Sequence, residues 1–168
     1  MKKPLVTITL DWTQIEHKLE FFKTNDISNL GKITQVQAVC FSDKDQVVLY
    51  YNDKEKYGCP GGHLEKDEQF EEALEREIYE EIAAKMLYCE PIGYLRSTNL
   101  QSGNVTYNLR YWAKVVLLDE PVNDPCDPHR ERFVFTTEEA ILKLNWGEMG
   151  QTLVKLAEKM FISKNNNN

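Results

Sequence analysis

Residues 61–84 read GGHLEKDEQFEEALEREIYEEIAA, and the glutamates in the second half of this stretch decide what the chain is built around. Each residue turns an α-helix by roughly 100°, so residues three or four apart share a face. That spacing predicts a helix over residues 68–82, with Phe70, Ala73, Leu74, Glu77, Glu80, Glu81 and Ala84 on one arc. Glu68, Glu72, Glu75 and Tyr79 lie on the opposite, solvated side. The first arc begins apolar, as a face leaning on a core should, and then becomes three carboxylates. Like charges at this spacing repel by roughly 0.2 to 0.5 kcal/mol per pair in water, and by more where burial removes the water. A hard divalent cation relieves the conflict, because Mg2+ takes oxygen ligands and is typically bound by one or two carboxylates together with substrate phosphates. The arc is therefore expected to be a metal cradle.

Gly62, Glu68, Arg76-Glu77-Ile78, Tyr79, Glu80-Glu81, Ile82 and Ala83-Ala84 together resemble the Nudix box, a pattern of fixed residues at fixed spacing. The preceding Gly58-Cys59-Pro60-Gly61 strengthens the resemblance. It implies a Nudix-type α/β/α sandwich with a mixed central β-sheet. It also implies hydrolysis of a nucleoside diphosphate linked to another group, by water attack on phosphorus. The metal ligands it implies are Glu77, Glu80, Glu81 and the Gly61 carbonyl, holding Mg2+ or alternatively Mn2+. Arg76 is expected to orient a glutamate through a charge-assisted hydrogen bond and so to belong to the catalytic group with Glu77 and Glu80. Either of those two glutamates is expected to be the general base, ahead of Glu120 and Glu131 from the later part of the chain. Glu68, near the helix start, suits the helix dipole. The family usually has glycine where Ala83 stands. A left-handed conformation there costs a non-glycine residue roughly 1 to 2 kcal/mol, so the helix is expected to run on towards Lys85.

Substrate choice is less determined. Branches of the family that cleave ADP-ribose or diadenosine polyphosphates tend to carry a proline or tyrosine beyond the box, where this chain has Asn99, Leu100 and Gln101. A nucleoside triphosphate or related nucleotide is the favoured class. Two alternatives keep the fold and change the role: a non-catalytic nucleotide-sensing module, which usually loses box glutamates, and an isoprenoid diphosphate isomerase, which needs a cysteine motif absent here.

The chain has 168 residues, 42% of them hydrophobic, a length that suits one domain over residues 1–163, with residues 1–31 as an N-terminal extension packed on it. No apolar run reaches the roughly 18 residues of a membrane span, and the first residues carry too short an apolar run for a signal peptide, so a cytoplasmic protein is expected. Its net charge of −7 argues against nucleic acid as a partner and leaves metal ions to bring positive charge to a polyphosphate. Cys40, Cys59, Cys89 and Cys126 form no metal or redox spacing and are expected to be small buried hydrophobes.

In chain order, residues 5–10 read as a strand, and Asp11 with Gln14 as a capping box that opens an amphipathic helix over residues 12–22. His17 is expected on its surface. This segment is a candidate for shaping substrate choice or a homodimer contact. Residues 33–42 and 46–52 form a hairpin, and the loop from Lys54 to Gly62 opens the box, with glycines for close backbone approach and Pro60 to stiffen the entry. His63 is read as an ordinary loop residue. Strands follow over residues 92–98 and 105–118. Alternation in the second puts Leu109, Tyr111, Ala113 and Val115 on one face and Asn108, Arg110 and Trp112 on the other. Arg96 and Arg110 are candidates to touch substrate phosphate. Residues 119–130, with three prolines, make an irregular loop suited to a cleft rim. A short strand over 132–135 precedes a helix capped by Thr136 and Glu139. A last helix begins at about Gly147, with Asn145 and Glu148 expected as its cap, and residues 164–168 are expected to form a disordered tail.

Overall fold

The computed structural model describes residues 3–12, 14–28 and 30–166. In chain order it contains β1 (Val6–Trp12), β2 (Ile15–Lys23), β3 (Ile33–Phe41), β4 (Val47–Tyr51), β5 (Tyr57–Gly58), β6 (Gly61–His63), α1 (Phe70–Ile82), β7 (Ala84–Asn99), β8 (Val105–Leu117), β9 (Glu131–Phe135), α2 (Thr137–Leu144) and α3 (Gly147–Asn165). The strands form one mixed sheet in the order β1-β2-β7-β8-β3-β4-β5, with β6 also on β3 and β9 also on β4. Only β3 and β8 run parallel among the described pairs.

The expected alternation of β8 is what separates the two faces of the sheet. Leu109, Tyr111, Ala113 and Val115 point to one side and, with Val36, Ala38 and Cys40 of β3, bury Ala73, Leu74, Ile78 and Ile82 of α1. Trp112, Val39 and Phe41 point to the other side and meet Val154, Ala157 and Phe161 of α3, with the Phe41 and Phe161 rings stacked at 4.5 Å. Burying each large apolar side chain is worth roughly 1.5 to 3 kcal/mol. The helix that carries the glutamates is thereby pinned to the middle of the sheet, α/β/α as the sequence implies.

The N-terminal segment differs from expectation. Residues 15–23 are a strand in place of a helix, paired with β1 so that Val6 faces Phe21, and Gln14 takes φ 66° in the turn between them. Ile15, Leu19 and Phe22 do recur at helical spacing, but Ile15, Leu19 and Phe21 fit a period of two equally well. The tie is broken by a partner distant in sequence: β2 lies along β7, with Leu19 opposite Ser97 and Phe21 opposite Leu95. His17 Nδ1 is 3.2 Å from the Ser97 hydroxyl oxygen across that pairing. Thr13, within the expected helix, lies outside the described residues.

Three smaller corrections concern ends. α1 stops at Ile82, and Ala83 itself adopts the left-handed conformation at φ 44° and ψ 55°, so β7 starts at once and runs much longer than residues 92–98. A guanidinium explains how the helix end is held. Nη1 of Arg132, on β9, donates to the carbonyls of Ile82 (3.0 Å), Ala83 (2.8 Å) and Leu118 (3.3 Å), placing a cation where the last turn of α1 has none. Asn145 is the left-handed cap that ends α2 (φ 50°), so α3 is preceded by Trp146 and takes no Asn145 cap. α3 then continues to Asn165, and Lys164 Nζ reaches Glu90 (3.1 Å) and the Tyr88 hydroxyl (2.9 Å), so the first two residues of the expected tail are helical. Asn167 and Asn168 lie outside the described residues. Thr136 and Glu139 do form the capping box of α2. Cys40 and Cys59 are buried, but Cys89 is half-buried and Cys126 exposed, which corrects the reading of all four as buried. Among the described residues no helix is long and apolar enough to cross a membrane.

Candidate active site

Two glycines bring the backbone of β6 against the carboxylates of α1. Gly61, at φ 152°, donates its N–H to Glu81 Oε2 at 2.8 Å, and a Cβ there would stand 2.2 Å from the Val36 carbonyl oxygen. At Gly62 a Cβ would stand 2.1 Å from Glu77 Oε1. Any side chain at either position would therefore displace a neighbour, and at Gly62 that neighbour is one of the three glutamates.

Two arginines compensate the charge of this cluster. Arg76 Nη1 donates to Glu77 (2.9 Å) and Glu80 (3.4 Å), its Nε and Nη2 fork onto Glu68 (2.8 and 3.1 Å), and Nη2 also reaches the His63 carbonyl (3.2 Å). Glu68 is thus not on a solvated side. Its side chain is 13% exposed and is the main partner of Arg76, which holds its carboxyl below the ordinary range. Burial pushes the Glu77 carboxyl up, against the pull of Arg76, and the charges of Glu80 and Asp124 push the same way. Glu81, 6% exposed, pairs with Arg130.

Arg130 comes from the loop of residues 119–130 and brings a residue the sequence reading missed. Its Nη1 lies 2.7 Å from Asp124 Oδ2, and its Nε 3.5 Å from Asp127 Oδ2. Asp124 and Asp127 are both buried and also tie the loop together, accepting from the amides of Cys126 (2.7 Å) and His129 (3.2 Å) respectively. Asp-Pro-Cys-Asp-Pro, residues 124–128, reads as turn chemistry, and only the fold brings Asp124 towards the box. The expected loop candidates Glu120 and Glu131 instead line a cavity of about 520 Å³ that also includes Arg130, and they make no described contact with the box glutamates.

The two arginines expected to meet substrate separate. Arg96 is taken by Glu20 (2.6 and 3.0 Å) and lies over the Phe22 ring, between β2 and β7 and apart from the glutamates. Arg110 stands in register with Gln37, which stands in register with Gly61, so it is two strands from the box turn on the sheet face opposite α1. It is half-buried, and its described hydrogen bond is a 3.4 Å contact to the Leu109 carbonyl. Burial lowers its guanidinium to about 10.

A hard cation fits this donor set. Glu77, Glu80, Glu81 and Asp124 are oxygen donors crowded enough to need two guanidiniums among them. As the side chains stand, no group of three His, Cys, Asp or Glu residues among the described ones is close enough to hold a metal ion. Arg76 bridges Glu77 and Glu80, and Arg130 bridges Glu81 and Asp124.

The comparisons show the family and agree with the fold. The NUDIX domain model matches residues 32–155, and the chain belongs to that family. The match begins just before β3 and leaves the β1–β2 hairpin outside it. Among solved structures, the chain is similar to the Bacillus subtilis pyrophosphohydrolase BsRppH, in its E68A mutant, with TM-score 0.70 and 18% identity, covering 95% of this chain and 98% of that one. A NUDIX hydrolase from Nitrosomonas europaea aligns with TM-score 0.60 and 21% identity over 75% of this chain and 88% of that one. The NUDIX domain of Shewanella oneidensis NrtR, complexed with ADP ribose, aligns with TM-score 0.61 and 18% identity over 81% and 93% respectively. No curated protein sequence matches the chain.

Proposed function

We propose that this protein is a pyrophosphohydrolase that uses Mg2+ or Mn2+ to cleave a nucleoside diphosphate linked to another group, with a nucleoside triphosphate or related nucleotide as its substrate class. The observation that carries this is the pairing of the Gly61-Gly62 turn with Glu81 and Glu77, which needs glycine at both positions. Glu77, Glu80, Glu81 and the Gly61 carbonyl are the residues that would hold the cation, which supplies charge neutralisation and Lewis acidity when bound. Arg76 keeps Glu77 and Glu80 oriented towards one another without itself facing substrate. Glu77 or Glu80 serves as the base, each within reach of the Arg76 guanidinium that orients it. Asp124, whose charge acts on Glu77, replaces Glu120 and Glu131 as the loop candidate for the same role. Arg110, with no acidic partner among the described residues, remains available for an anionic group of the substrate, whereas Arg96 is committed to Glu20. The cytoplasmic placement expected from the sequence belongs to the same proposal.

A panel of nucleotides assayed with Mg2+ for phosphate or pyrophosphate release tests the proposal. Turnover that stops in excess EDTA and in Glu80→Gln is expected. Nucleotide binding with no turnover of any member would replace the hydrolase with a sensing module. Retention of all three box glutamates favours the enzyme.

A further inference from the structure

Arg130 sits among carboxylates in an unusual way. Its side chain is 11% exposed, and Glu81, Asp124 and Asp127 surround it. The guanidinium also lies 4.2 Å from the centroid of the Tyr50 ring. A guanidinium that belongs permanently with a carboxylate usually meets it in a planar fork, as Arg76 meets Glu68. Arg130 does not. Its Nη1 is shared between Glu81 and Asp124 (2.7 Å), and its Nε lies 3.5 Å from Asp127, so no one carboxylate takes both. Charge and the aromatic face hold it there, and a different cation could satisfy the same oxygens.

The two oxygens of Glu81 make the competition specific. Oε2 is fixed by the Gly61 N–H, and Oε1 is the oxygen that Arg130 contacts. A divalent ion that enters at Glu81 competes with Arg130 for Oε1, the oxygen that the backbone leaves free. We propose that Arg130 is a positioning residue that neutralises Glu81 and Asp124 in the metal-free chain, yields Glu81 to the divalent ion, and so sets how tightly the box binds metal. The proposal rests on the reading that the box glutamates hold a divalent cation. Breaking the resident ion pair reduces the affinity for metal. Without Arg130, the buried carboxylates would have only the incoming ion to compensate them. Once released, the guanidinium keeps Asp124 and Tyr50 as neighbours and lines the cavity of about 520 Å³ beside the loop.

The test is a calorimetric titration of the full chain with Mn2+ at fixed pH, comparing wild type, Arg130→Met and Glu80→Gln. Arg130→Met is expected to bind Mn2+ at least about tenfold more tightly than wild type. Unchanged or weaker binding by Arg130→Met, with weaker binding by Glu80→Gln, overturns the role of Arg130 and leaves the cradle standing. Absence of Mn2+ binding in all three proteins overturns both. If Arg130→Met is too unstable to titrate, thermal melts with and without Mn2+ give the same decision. A larger metal-induced rise in Tm than in wild type supports the proposal, and an equal or smaller rise overturns it.

Discussion

Glu81 with Arg130 and Glu20 with Arg96 are the same two residue types, both glutamates buried, one on α1 and the other on β2, and they are held in different ways. Arg96 Nε and Nη2 both donate to one oxygen of Glu20, the ring of Phe22 lies beneath, and Lys18 adds a second cation at 3.1 Å. Nothing is left wanting there, and the pair ties β2 to β7. At Glu81 one oxygen is fixed by the backbone and the other meets a guanidinium that it shares with two aspartates. A buried ion pair is therefore weak grounds for assigning a role until its geometry is known. The exclusive pair ties two strands together, and the shared one lies beside the glutamates proposed to hold a cation.

The largest effects should fall on the side of the shared pair. Glu80→Gln and Glu81→Gln keep side-chain size and remove a charge, and each is expected to lower kcat/KM with Mg2+ by at least about a hundredfold, or ~2.7 kcal/mol. Glu20→Gln and the outward-facing Glu75→Gln should change it little. Steady-state kinetics on the best nucleotide of the panel check this, and equal losses in all four variants would erase the distinction between the two regions.

Next in size is Arg132, a third arginine, whose partners are carbonyls and not carboxylates. Arg132→Met leaves the carbonyls of Ile82, Ala83 and Leu118 without their shared donor. A loss of about 1.5 to 3 kcal/mol is expected, the contribution of a charged donor, with the Ala83 carbonyl still accepting from the Leu118 amide. Thermal melts in EDTA measure it, and a change in Tm too small to resolve would mean that water replaces the guanidinium without penalty.

Glu20 gives a smaller effect with a defined pH dependence. Burial pushes its carboxyl up, but Arg96 and Lys18 outweigh that and hold it below its ordinary value of 4.5. A depressed carboxyl contributes stability that is fully present above the unfolded value and is lost as pH falls through the lowered, folded value. Glu20→Gln should therefore cost about 1 kcal/mol at neutral pH, discounted because Arg96 is 34% exposed. The difference from wild type should shrink below pH 4.5. Melts of both proteins from neutral to acid pH decide this, and a difference that grows in acid would reverse the sign of the argument.

The two regions also differ in how far the sequence revealed them. The box is legible because its information is local: helical geometry alone puts Glu77, Glu80 and Glu81 on one face, and the two glycines of the preceding turn stand within twenty residues of them. The core alternation of β8 was legible for the same reason. The N-terminal segment was misread because Glu16, Lys18, Leu19 and Glu20 are good helix formers, and the β7 partner that makes them a strand is far away in sequence. Arg130 and Asp124 were missed through a related limit. A loop rich in proline and aspartate announces turns but not which of its side chains will reach a helix packed elsewhere. Glu131 is one of two later candidates in the sequence, behind Glu77 and Glu80, yet its neighbour in the chain is the residue that meets Glu81.

The smallest expected effect is at Ala83, where the family pattern usually has glycine. Ala83→Gly removes the strain of a left-handed alanine, worth roughly 1 to 2 kcal/mol in favour of the variant. Two terms oppose it. The unfolded chain gains freedom, worth roughly 0.4 to 1 kcal/mol. The alanine methyl, on a residue only 2% exposed, is lost from the interior at about 0.8 kcal/mol. The terms nearly cancel, so the variant is expected to lie within about 0.5 kcal/mol of wild type, with metal affinity unchanged because the Ala83 amide bonds to the Tyr79 carbonyl and not to a glutamate. Denaturant unfolding and Mn2+ titration of the pair check both halves. Near-equality would explain how the helix ends on schedule without glycine, since Arg132 still holds the Ile82 and Ala83 carbonyls. A large gain in stability would mean that the buried methyl contributes nothing, and a change in metal affinity would mean that the helix end is coupled to the glutamates after all.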